Sequence, residues 1–339
     1  MSEEKKKTNT LWKILLIFFL ALTVLLTVME IAWRHRSDPR EVIRYRTLNP
    51  HAAVVMPMIS AHRSGAGIAP EETMMAFKMC AEDPDFDVDY YEFDLHITKD
   101  DVLVLLHDDE LDRVSDCREV FGKTHCAPQD YTYEELRTLS MAVSFVDQDG
   151  KMPYKDLKGE EVPEDLRILN LDTILDYLES SGPNRYIIEI KNDGSLGRRA
   201  MDILYQTLDK RKMIDRVIFG TIKGDISEYK DRLYPSLVRG ADLEEVIDFY
   251  FSALFNQKNY HPKFQVLQLP FGDRLMSGGF NLGTARLINY AHEHDLAVQY
   301  WTVNSAEDAE YLMGIGADCI TTDYPDMVYE VRENMFGDS

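Results

Sequence analysis

Short apolar runs alternate along the chain with longer segments in which apolar residues recur every three or four positions. The runs have the length of β-strands, and the longer segments have the period of amphipathic helices. Strands are predicted at 58–62, 89–96, 102–107, 185–191, 216–221, 236–240, 264–269, 296–303 and 318–322, and helices at 71–82, 132–140, 170–180, 195–212, 242–255, 284–294 and 306–314. This alternation is typical of an α/β fold with a parallel sheet, and the number of repeats favours a closed (β/α)8 barrel of the TIM type.

The alternation is interrupted after His107, where the chain before the next strand is far longer than a usual connection of about 2–6 residues. We interpret residues 110–170, which are rich in Asp, Glu, Lys and Tyr, as an inserted subdomain on the catalytic face. The connection at 97–101 is too short for a parallel crossover, so the strands beside it are predicted to form an antiparallel hairpin. We predict that the numbers of two residues facing each other across this hairpin sum to about 199, which places Glu92 opposite His107.

Near the N-terminus, residues 14–29 carry no charge, and Trp12 and Trp33 flank them. A helix needs about 20 apolar residues to cross ~30 Å of hydrocarbon. We therefore predict a tail at 1–10, a transmembrane anchor at 11–33, a basic juxtamembrane linker at 34–56 and a barrel domain at 57–339. No small-residue cleavage motif precedes Trp33, which favours an anchor that is not removed.

Basic residues lie on both sides of this anchor in nearly equal number, so they indicate little about its orientation. The domain behind the anchor is acidic, and Cys117 and Cys126 bracket a polar stretch that favours either a local disulfide or two unpaired thiols. On these grounds we expect a single-pass membrane protein whose catalytic domain lies outside the cytoplasm.

The formal net charge is −22 over 339 residues. A surface this acidic repels the phosphates of nucleic acids, so no polynucleotide partner is expected. The length suits one barrel of about 250 residues with attachments. If the substrate of such a chain is itself an anion, a bound cation or a local cluster of basic residues has to reverse the field at the site.

Carboxylates stand out in two predicted strands. Glu92 and Asp94 are two residues apart and therefore point to one face. Glu189 lies in the apolar run 187–190, where an unpaired charge is expensive to bury. A hard divalent metal, Mg²⁺ or Ca²⁺, joins such oxygen ligands, with Lys191 left as a contact for phosphate. The alternative is a Glu189–Lys191 ion pair without a metal.

Two histidines follow strand ends, where side chains of a barrel face the active site. His62 and His107 are candidates for an acid/base pair, because imidazole titrates near neutrality. Hydrolysis of a phosphodiester needs a base for the attacking oxygen and an acid for the leaving alkoxide. Arg63, beside His62, is suited to clamp phosphate oxygens.

These motifs resemble those of the glycerophosphodiester phosphodiesterase family. The segments AHRSGAGIAPEETMMAF, YEFDLHITKDDVLVLLHDDELDR, IIEIK and YWTVN…GADCITTDYPD match its motifs in order over roughly 57–329. The resemblance implies a (β/α)8 barrel that hydrolyses glycerophosphodiesters to glycerol 3-phosphate and an alcohol, by attack of the glycerol 2-hydroxyl and a cyclic phosphate. It implies metal ligands at Glu92, Asp94 and Glu189, acid/base roles for His62 and His107, and substrate contacts from Arg63, Lys191 and Trp301. Ser64 and Glu72 depart from the family pattern, which has Gly and Asn there.

Other functions fit the residues less well. A barrel glycosidase also uses two carboxylates, but it needs them on either side of a sugar and needs no histidine pair. A non-catalytic scaffold would be expected to lack one of the catalytic groups. Within phosphodiesterases, a lysophospholipase D-like activity on lysophospholipids is the main alternative, since an anchored barrel stays close to lipid.

Overall fold

The computed structural model describes residues 3–43, 45, 47–53 and 55–337, with side chains from Trp12 onward. Its strands are β1 Met58–Ala61, β2 Tyr90–Ile97, β3 Leu103–Leu105, β4 Tyr186–Ile190, β5 Val217–Gly220, β6 Val238–Arg239, β7 Val266–Pro270, β8 Ala297–Trp301 and β9 Cys319–Thr322. Eight of them form a parallel sheet in the order β6–β5–β4–β2–β1–β9–β8–β7, and a bridge from Gly240 to Val266 links its two edges. The predicted eight-stranded barrel is confirmed.

Helices surround the barrel and follow most of its strands. They are α1 Glu3–Arg34, α2 Met74–Glu82, α3 Cys117–Val120, α4 Tyr133–Leu136, α5 Leu171–Glu179, α6 Gly194–Arg211, α7 Gly224–Leu233, α8 Leu243–Leu254, α9 Ala285–Glu293, α10 Ala306–Gly314 and α11 Pro325–Phe336. The helix predicted at 71–82 begins only at Met74, because Glu72 has a positive φ of 56° and the Thr73 side chain caps the first turn. The helix predicted at 132–140 is one turn, α4.

The core has two layers that follow from strand alternation. Side chains such as Phe93, Leu95 and Phe219 point outward, are fully buried and pack against the helices. Each contributes about 1.5–3 kcal/mol by leaving water. Inside the barrel, the N-terminal strand ends contribute an apolar cluster that includes Tyr90 and Ile187. Because apolar groups fill that end, the polar interior lies at the C-terminal ends of the strands.

The β2–β3 hairpin forms as predicted, but its predicted register is wrong by one residue. Leu95 pairs with Leu105 and Ile97 with Leu103, so paired numbers sum to 200 and Glu92 does not oppose His107. The turn has three residues, 99–101, and Asp101 adopts a left-handed φ of 64° in it. The Thr98 N–H then closes the turn on the Val102 carbonyl at 2.9 Å.

The segment between β3 and α5 contains α3, α4 and several short 3-10 turns. Its apolar side chains form a small cluster of their own around Leu111, Leu136 and Ile168. Cys117 and Cys126 belong to this cluster as buried free thiols. Oxygen and sulfur atoms of Asp112 and these two cysteines lie within 4.8 Å of one another. This group is separate from the cavity described below.

The first helix, α1, contains a 23-residue apolar stretch, Trp12–Arg34, that is long enough to cross a membrane. No part of its apolar window is buried against the rest of the protein. After α1, the chain runs along α10 and α9: the Ser37 N–H donates to the Tyr311 hydroxyl at 2.9 Å, and the Ile43 N–H to Asn289 at 2.8 Å. It reaches the N-terminal end of the barrel at Asn49.

Candidate active site

The strand β2 places two carboxylates inside the barrel. Glu92 and Asp94 alternate with Phe93 and Leu95, so they face the interior while the apolar side chains face the helices. Asp94 is 1% exposed, and neither of its oxygens accepts a hydrogen bond among the described residues. Its charge is compensated by cations instead: Lys191 Nζ lies 3.3 Å from Oδ1, and Arg63 Nε lies 4.0 Å from Oδ2. A buried carboxylate needs such compensation to remain ionised.

The turn after β1 brings His62 and Arg63 beside these carboxylates. Arg63 and Ser64 both have positive φ, 46° and 60°, in a short 3-10 turn. This backbone points the Arg63 N–H at Glu92 Oε2, 2.6 Å away. Because a left-handed residue with a Cβ costs roughly 1–2 kcal/mol, the turn stores strain next to the site.

The strand β4 adds the third carboxylate. Glu189 lies directly beside Asp94 in the parallel register of β2 and β4. The Lys191 ammonium is 3.3 Å from Asp94 Oδ1 and 3.3 Å from Glu189 Oε1. Lys191 therefore balances part of the negative charge that the barrel buries here, and the ion pair weighed for Glu189 is present.

Each histidine is held by a carboxylate. His62 Nδ1 is 2.6 Å from Asp323 Oδ1, and His107 Nδ1 is 2.8 Å from Asp108 Oδ1. An ionised carboxylate only accepts hydrogen bonds, so Nδ1 is the protonated nitrogen in both rings. The Nε2 atom of each imidazole is thus the one available to exchange a proton with a substrate.

The predicted residues come together in one cavity of ≈ 530 Å³ at the C-terminal strand ends. Its lining includes all eight of them: His62, Arg63, Glu92, Asp94, His107, Glu189, Lys191 and Trp301. Polar groups from other strand ends, Thr221, Lys223 and Gln268, complete the wall together with Met276 and Ile222. A concave site with a few convergent polar groups is typical of a small-molecule pocket.

The charges at this site perturb one another. Burial and the neighbouring Asp94 raise the pKa of Glu92 to about 7. Burial opposes ionisation of Asp94 too, but the cations Lys191, His107 and Arg63 bring its pKa below the usual value. Burial also opposes the charged form of His62, yet the hydrogen bond to Asp323 and the charges of Glu92 and Asp323 raise its pKa. Perturbed groups clustered in a cleft are typical of an active site.

The donor set fits a hard divalent cation. Asp94 Oδ1, Asp94 Oδ2 and Glu189 Oε1 are buried oxygens without a hydrogen-bond donor. Oxygen ligands of this kind suit Mg²⁺ or Ca²⁺. Among the described residues, the oxygens of Glu92, Asp94 and Glu189 are not gathered within 4.8 Å as those of the Asp112 group are. The Lys191 ammonium lies between two of these carboxylates, Asp94 and Glu189.

Several residues at the site were not assigned a role from the sequence. Asp323 orients His62, and Asp108 orients His107. Arg113 joins two parts of the site, since it donates to Asp108 Oδ2 at 2.5 Å and to Glu71 Oε1 at 2.7 Å. Glu71 also accepts from Arg63 at 3.1 Å. The "HD" and "DYPD" motifs contain Asp108 and Asp323, but only the fold shows which histidine each one contacts.

The departures from the family motif have structural consequences. Glu72 is buried, and its Oε1 accepts a hydrogen bond from the Asp94 N–H at 2.6 Å. Burial and the charges of Asp94 and Glu71 raise the pKa of Glu72 well above its usual value. Ser64 is buried with its hydroxyl unpaired among the described residues, in a backbone conformation that glycine adopts freely.

Comparison with known proteins agrees with this site. A sequence profile described as the glycerophosphoryl diester phosphodiesterase family matches residues 62–327. A glycerophosphodiester phosphodiesterase of Bacillus altitudinis is 25% identical over 283 residues, covering 83% of this chain and 100% of the relative. One from Bacillus subtilis is 24% identical over 288 residues, covering 80% and 85%.

Solved structures show the same fold. The glycerophosphoryl diester phosphodiesterase domain of a Mycobacterium tuberculosis protein aligns with a TM-score of 0.63 and 17% identity, over 82% of this chain and 99% of that one. An Oleispira antarctica phosphodiesterase, solved in complex with the product sn-glycerol-3-phosphate, aligns with a TM-score of 0.59 and 17% identity, over 81% and 96%.

The barrel and its cavity of carboxylates, cations and paired histidines define a phosphoric diester hydrolase. The chain belongs to the glycerophosphoryl diester phosphodiesterase family. The phosphodiesterase hypothesis is therefore supported over the glycosidase and the non-catalytic scaffold.

Proposed function

We propose that this enzyme hydrolyses glycerophosphodiesters to glycerol 3-phosphate and an alcohol, with a divalent metal and with His62 and His107 as the acid/base pair. The main observation behind this proposal is that the two histidines are held in the same way. Each has its Nδ1 fixed by a carboxylate, and both rings line the cavity that contains the buried carboxylates. The relatives' names and the glycerol 3-phosphate bound to the Oleispira antarctica enzyme support the substrate class.

Phosphate binding is assigned to Arg63 and Lys191. Both cations line the cavity, and both are largely buried beside carboxylates that keep them protonated. A guanidinium binds two phosphate oxygens at once, whereas an ammonium acts as a point charge. Trp301 provides an apolar wall for the glycerol or alcohol group. In this proposal the phosphorus lies between the two imidazoles, which line the same cavity.

In the proposed reaction, each histidine transfers one proton in each of the two steps. One imidazole Nε2 takes the proton from the glycerol 2-hydroxyl as its oxygen bonds to phosphorus. The other Nε2 gives a proton to the alkoxide as its bond to phosphorus breaks, which releases the alcohol and leaves a cyclic phosphate. Water opens the ring with the two histidines in exchanged roles, and glycerol 3-phosphate is formed. Acid/base help of this kind is worth roughly 10²–10⁴-fold.

The metal is assigned to Glu92, Asp94 and Glu189. All three line the cavity, and carboxylate oxygens are hard ligands that suit Mg²⁺ or Ca²⁺. When bound, the cation supplies positive charge that stabilises the phosphate oxygens as negative charge develops on them. The chain's own contribution is to hold these carboxylates in place through the Arg63 N–H at Glu92 and the register of β2 with β4.

We further propose that residues 11–33 anchor the enzyme in a membrane as a single span, with the barrel outside the cytoplasm. The length and apolar character of Trp12–Arg34 support the anchor. The acidic domain behind the anchor is consistent with that side.

The test is product release by the detergent-solubilised full chain. With glycerophosphocholine as substrate, we expect glycerol 3-phosphate and choline, loss of the reaction with EDTA, and recovery on addition of Mg²⁺ or Ca²⁺. Phosphocholine as the product would contradict the substrate orientation. Release that continues unchanged in EDTA would contradict the assigned metal.

A further inference from the structure

The anchor helix meets the barrel at its catalytic end. The loop at 271–284 follows β7 and precedes α9, so it lies at the C-terminal ends of the strands, where the cavity opens. Arg274 of this loop donates to Glu30 at 2.5 Å, and its guanidinium lies over the Trp33 ring at 5.9 Å. Asn281 donates to the Ala32 carbonyl at 3.1 Å. The C-terminal end of α1 is therefore attached to the rim of the cavity.

The chain after the anchor fixes this arrangement. It contacts Asp308 in the first turn of α10, then Tyr311, and then Asn289 of α9. It ends at Gln265 and Asp318, just before β7 and β9, at the N-terminal end of the barrel. The segment thus runs down the full height of the barrel, away from the end where α1 is attached, and prevents the N-terminal end from turning toward the membrane.

The rim beside the anchor is also apolar. In the loop at 271–284, Leu275 is 88% exposed and Met276 is 55% exposed. Met276 lines the cavity, as does Ile222 of the neighbouring β5–α7 loop, which is 60% exposed. Large apolar groups exposed together rarely lack a partner. Their position beside Trp33, at the end of the predicted span, indicates that the partner is the lipid surface.

We propose that the catalytic end of the barrel faces the bilayer, that Leu275 and Met276 enter the lipid interface, and that the cavity takes phosphodiesters carried by lipids of the same membrane. The choice of lipid substrates rests on the proposed function, that is, on hydrolysis of a phosphodiester in this cavity. The location of the loop rests only on the anchor contacts. A lysophospholipid with a choline head group has the required phosphodiester and reaches the cavity from the interface.

The location is tested with the full chain in lipid vesicles. Leu275→Cys is labelled with an environment-sensitive dye; the four native cysteines are buried and leave one reactive site. We expect quenching of this dye by spin-labelled lipids of the same vesicles. Leu233→Cys is the matched control, because Leu233 is 47% exposed at the end of α7, on the opposite face. Equal, weak quenching at both positions would overturn the proposal.

Activity gives a second test. Leu275→Asp is compared with Leu233→Asp on lysophosphatidylcholine in vesicles and on soluble glycerophosphocholine. We expect Leu275→Asp to lower the rate on the vesicle substrate by about fivefold or more and to leave the soluble rate unchanged, while Leu233→Asp alters neither. Equal rates for both variants on vesicles would overturn the membrane-facing mouth. If the wild-type chain hydrolyses neither substrate while the dye is quenched, the proposed function fails and the location stands.

Discussion

The two ends of the barrel differ in the partners of a buried carboxylate. At the N-terminal end, Asp318 is 1% exposed and fully bonded: it accepts from the Ala53 and Val298 N–H groups at 2.7 and 2.6 Å and from His292 at 2.8 Å. At the C-terminal end, Asp94 is equally buried and accepts no hydrogen bond among the described residues. Asp318 is thus bonded within the fold, whereas Asp94 is balanced by the charge of Lys191 at the cavity.

This difference shows how function can be read from burial. Asp318 is bonded to donors that belong to the fold, whereas Asp94 is balanced by Lys191 and Arg63, two cations that line the cavity. Variants at the N-terminal end should therefore lower the free energy of unfolding and leave catalysis intact. Removal of a catalytic group at the C-terminal end should lower kcat and change the free energy of unfolding little.

The largest effect is expected at the catalytic histidines. His62→Ala removes an acid/base group, so we expect kcat to fall by roughly 10²–10⁴-fold. The urea midpoint should change little, because the His62 ring is fixed mainly by Asp323 at the cavity. Activity and urea unfolding are measured on the same preparation. A variant that unfolds early but keeps kcat would contradict the comparison.

The corresponding variant at the N-terminal end of the barrel is Asp318→Asn. The amide has one acceptor oxygen, so at least one of the buried donors from Ala53, Val298 and His292 loses its partner. An unsatisfied buried group costs about 1–3 kcal/mol. We expect the free energy of unfolding to fall by that amount and kcat to stay within about twofold of the wild type, as measured by urea unfolding and by glycerol 3-phosphate release. A large fall in kcat at unchanged stability would reverse the roles of the two ends.

A smaller effect is expected in the pH dependence of stability, through His51 at the N-terminal end of the barrel. Burial and the charge of Arg185 lower the pKa of His51 to about 4 in the folded protein. The unfolded chain takes up this proton near pH 6.5, so stability falls as the pH drops from about 6.5 toward 4. We expect a loss of about 1–2 kcal/mol between pH 7 and pH 5. In His51→Gln this loss should be absent, as measured by urea unfolding at each pH. The same dependence of unfolding free energy on pH in the variant and the wild type would contradict the assignment to His51.

The smallest effect is expected at the strained turn of the catalytic end. Ser64→Gly relieves a left-handed φ of 60° and removes a hydroxyl without a partner. The greater entropy of unfolded glycine offsets part of this gain, so we expect about 0.5–1 kcal/mol of added stability. Thermal unfolding measures it. A destabilised variant would show that the backbone here is not strained.

The sequence predicted the barrel because apolar periodicity alternates clearly between strands and helices. Seven of the residues that line the cavity were predicted from polar groups at strand ends, which meet at one end of a parallel barrel, and Trp301 was predicted from the family resemblance. Helices α7 and α11 were missed: α7 is largely polar, with Ile226 as its main buried apolar residue, and α11 begins at a proline, Pro325.

Other features depend on contacts that no local pattern contains. The hairpin register depends on the left-handed Asp101. His51, which lies in the predicted juxtamembrane linker, is buried at the N-terminal end, where its Nδ1 lies 2.9 Å from the Tyr90 hydroxyl. The pairing of His62 with Asp323 joins residues 261 positions apart in the sequence. The attachment of α1 to the cavity rim is likewise a long-range contact, through Arg274.

We expect the carboxylates Glu92, Asp94 and Glu189 at the catalytic end to bind a divalent cation. Isothermal titration calorimetry of the chelator-treated full chain with Ca²⁺ and Mg²⁺ tests it without any substrate. We expect one binding event per chain, its loss in Asp94→Asn, and its retention in His51→Gln, with folding of each variant verified by circular dichroism. Unchanged binding in Asp94→Asn, or no binding by the wild-type chain, would contradict the account.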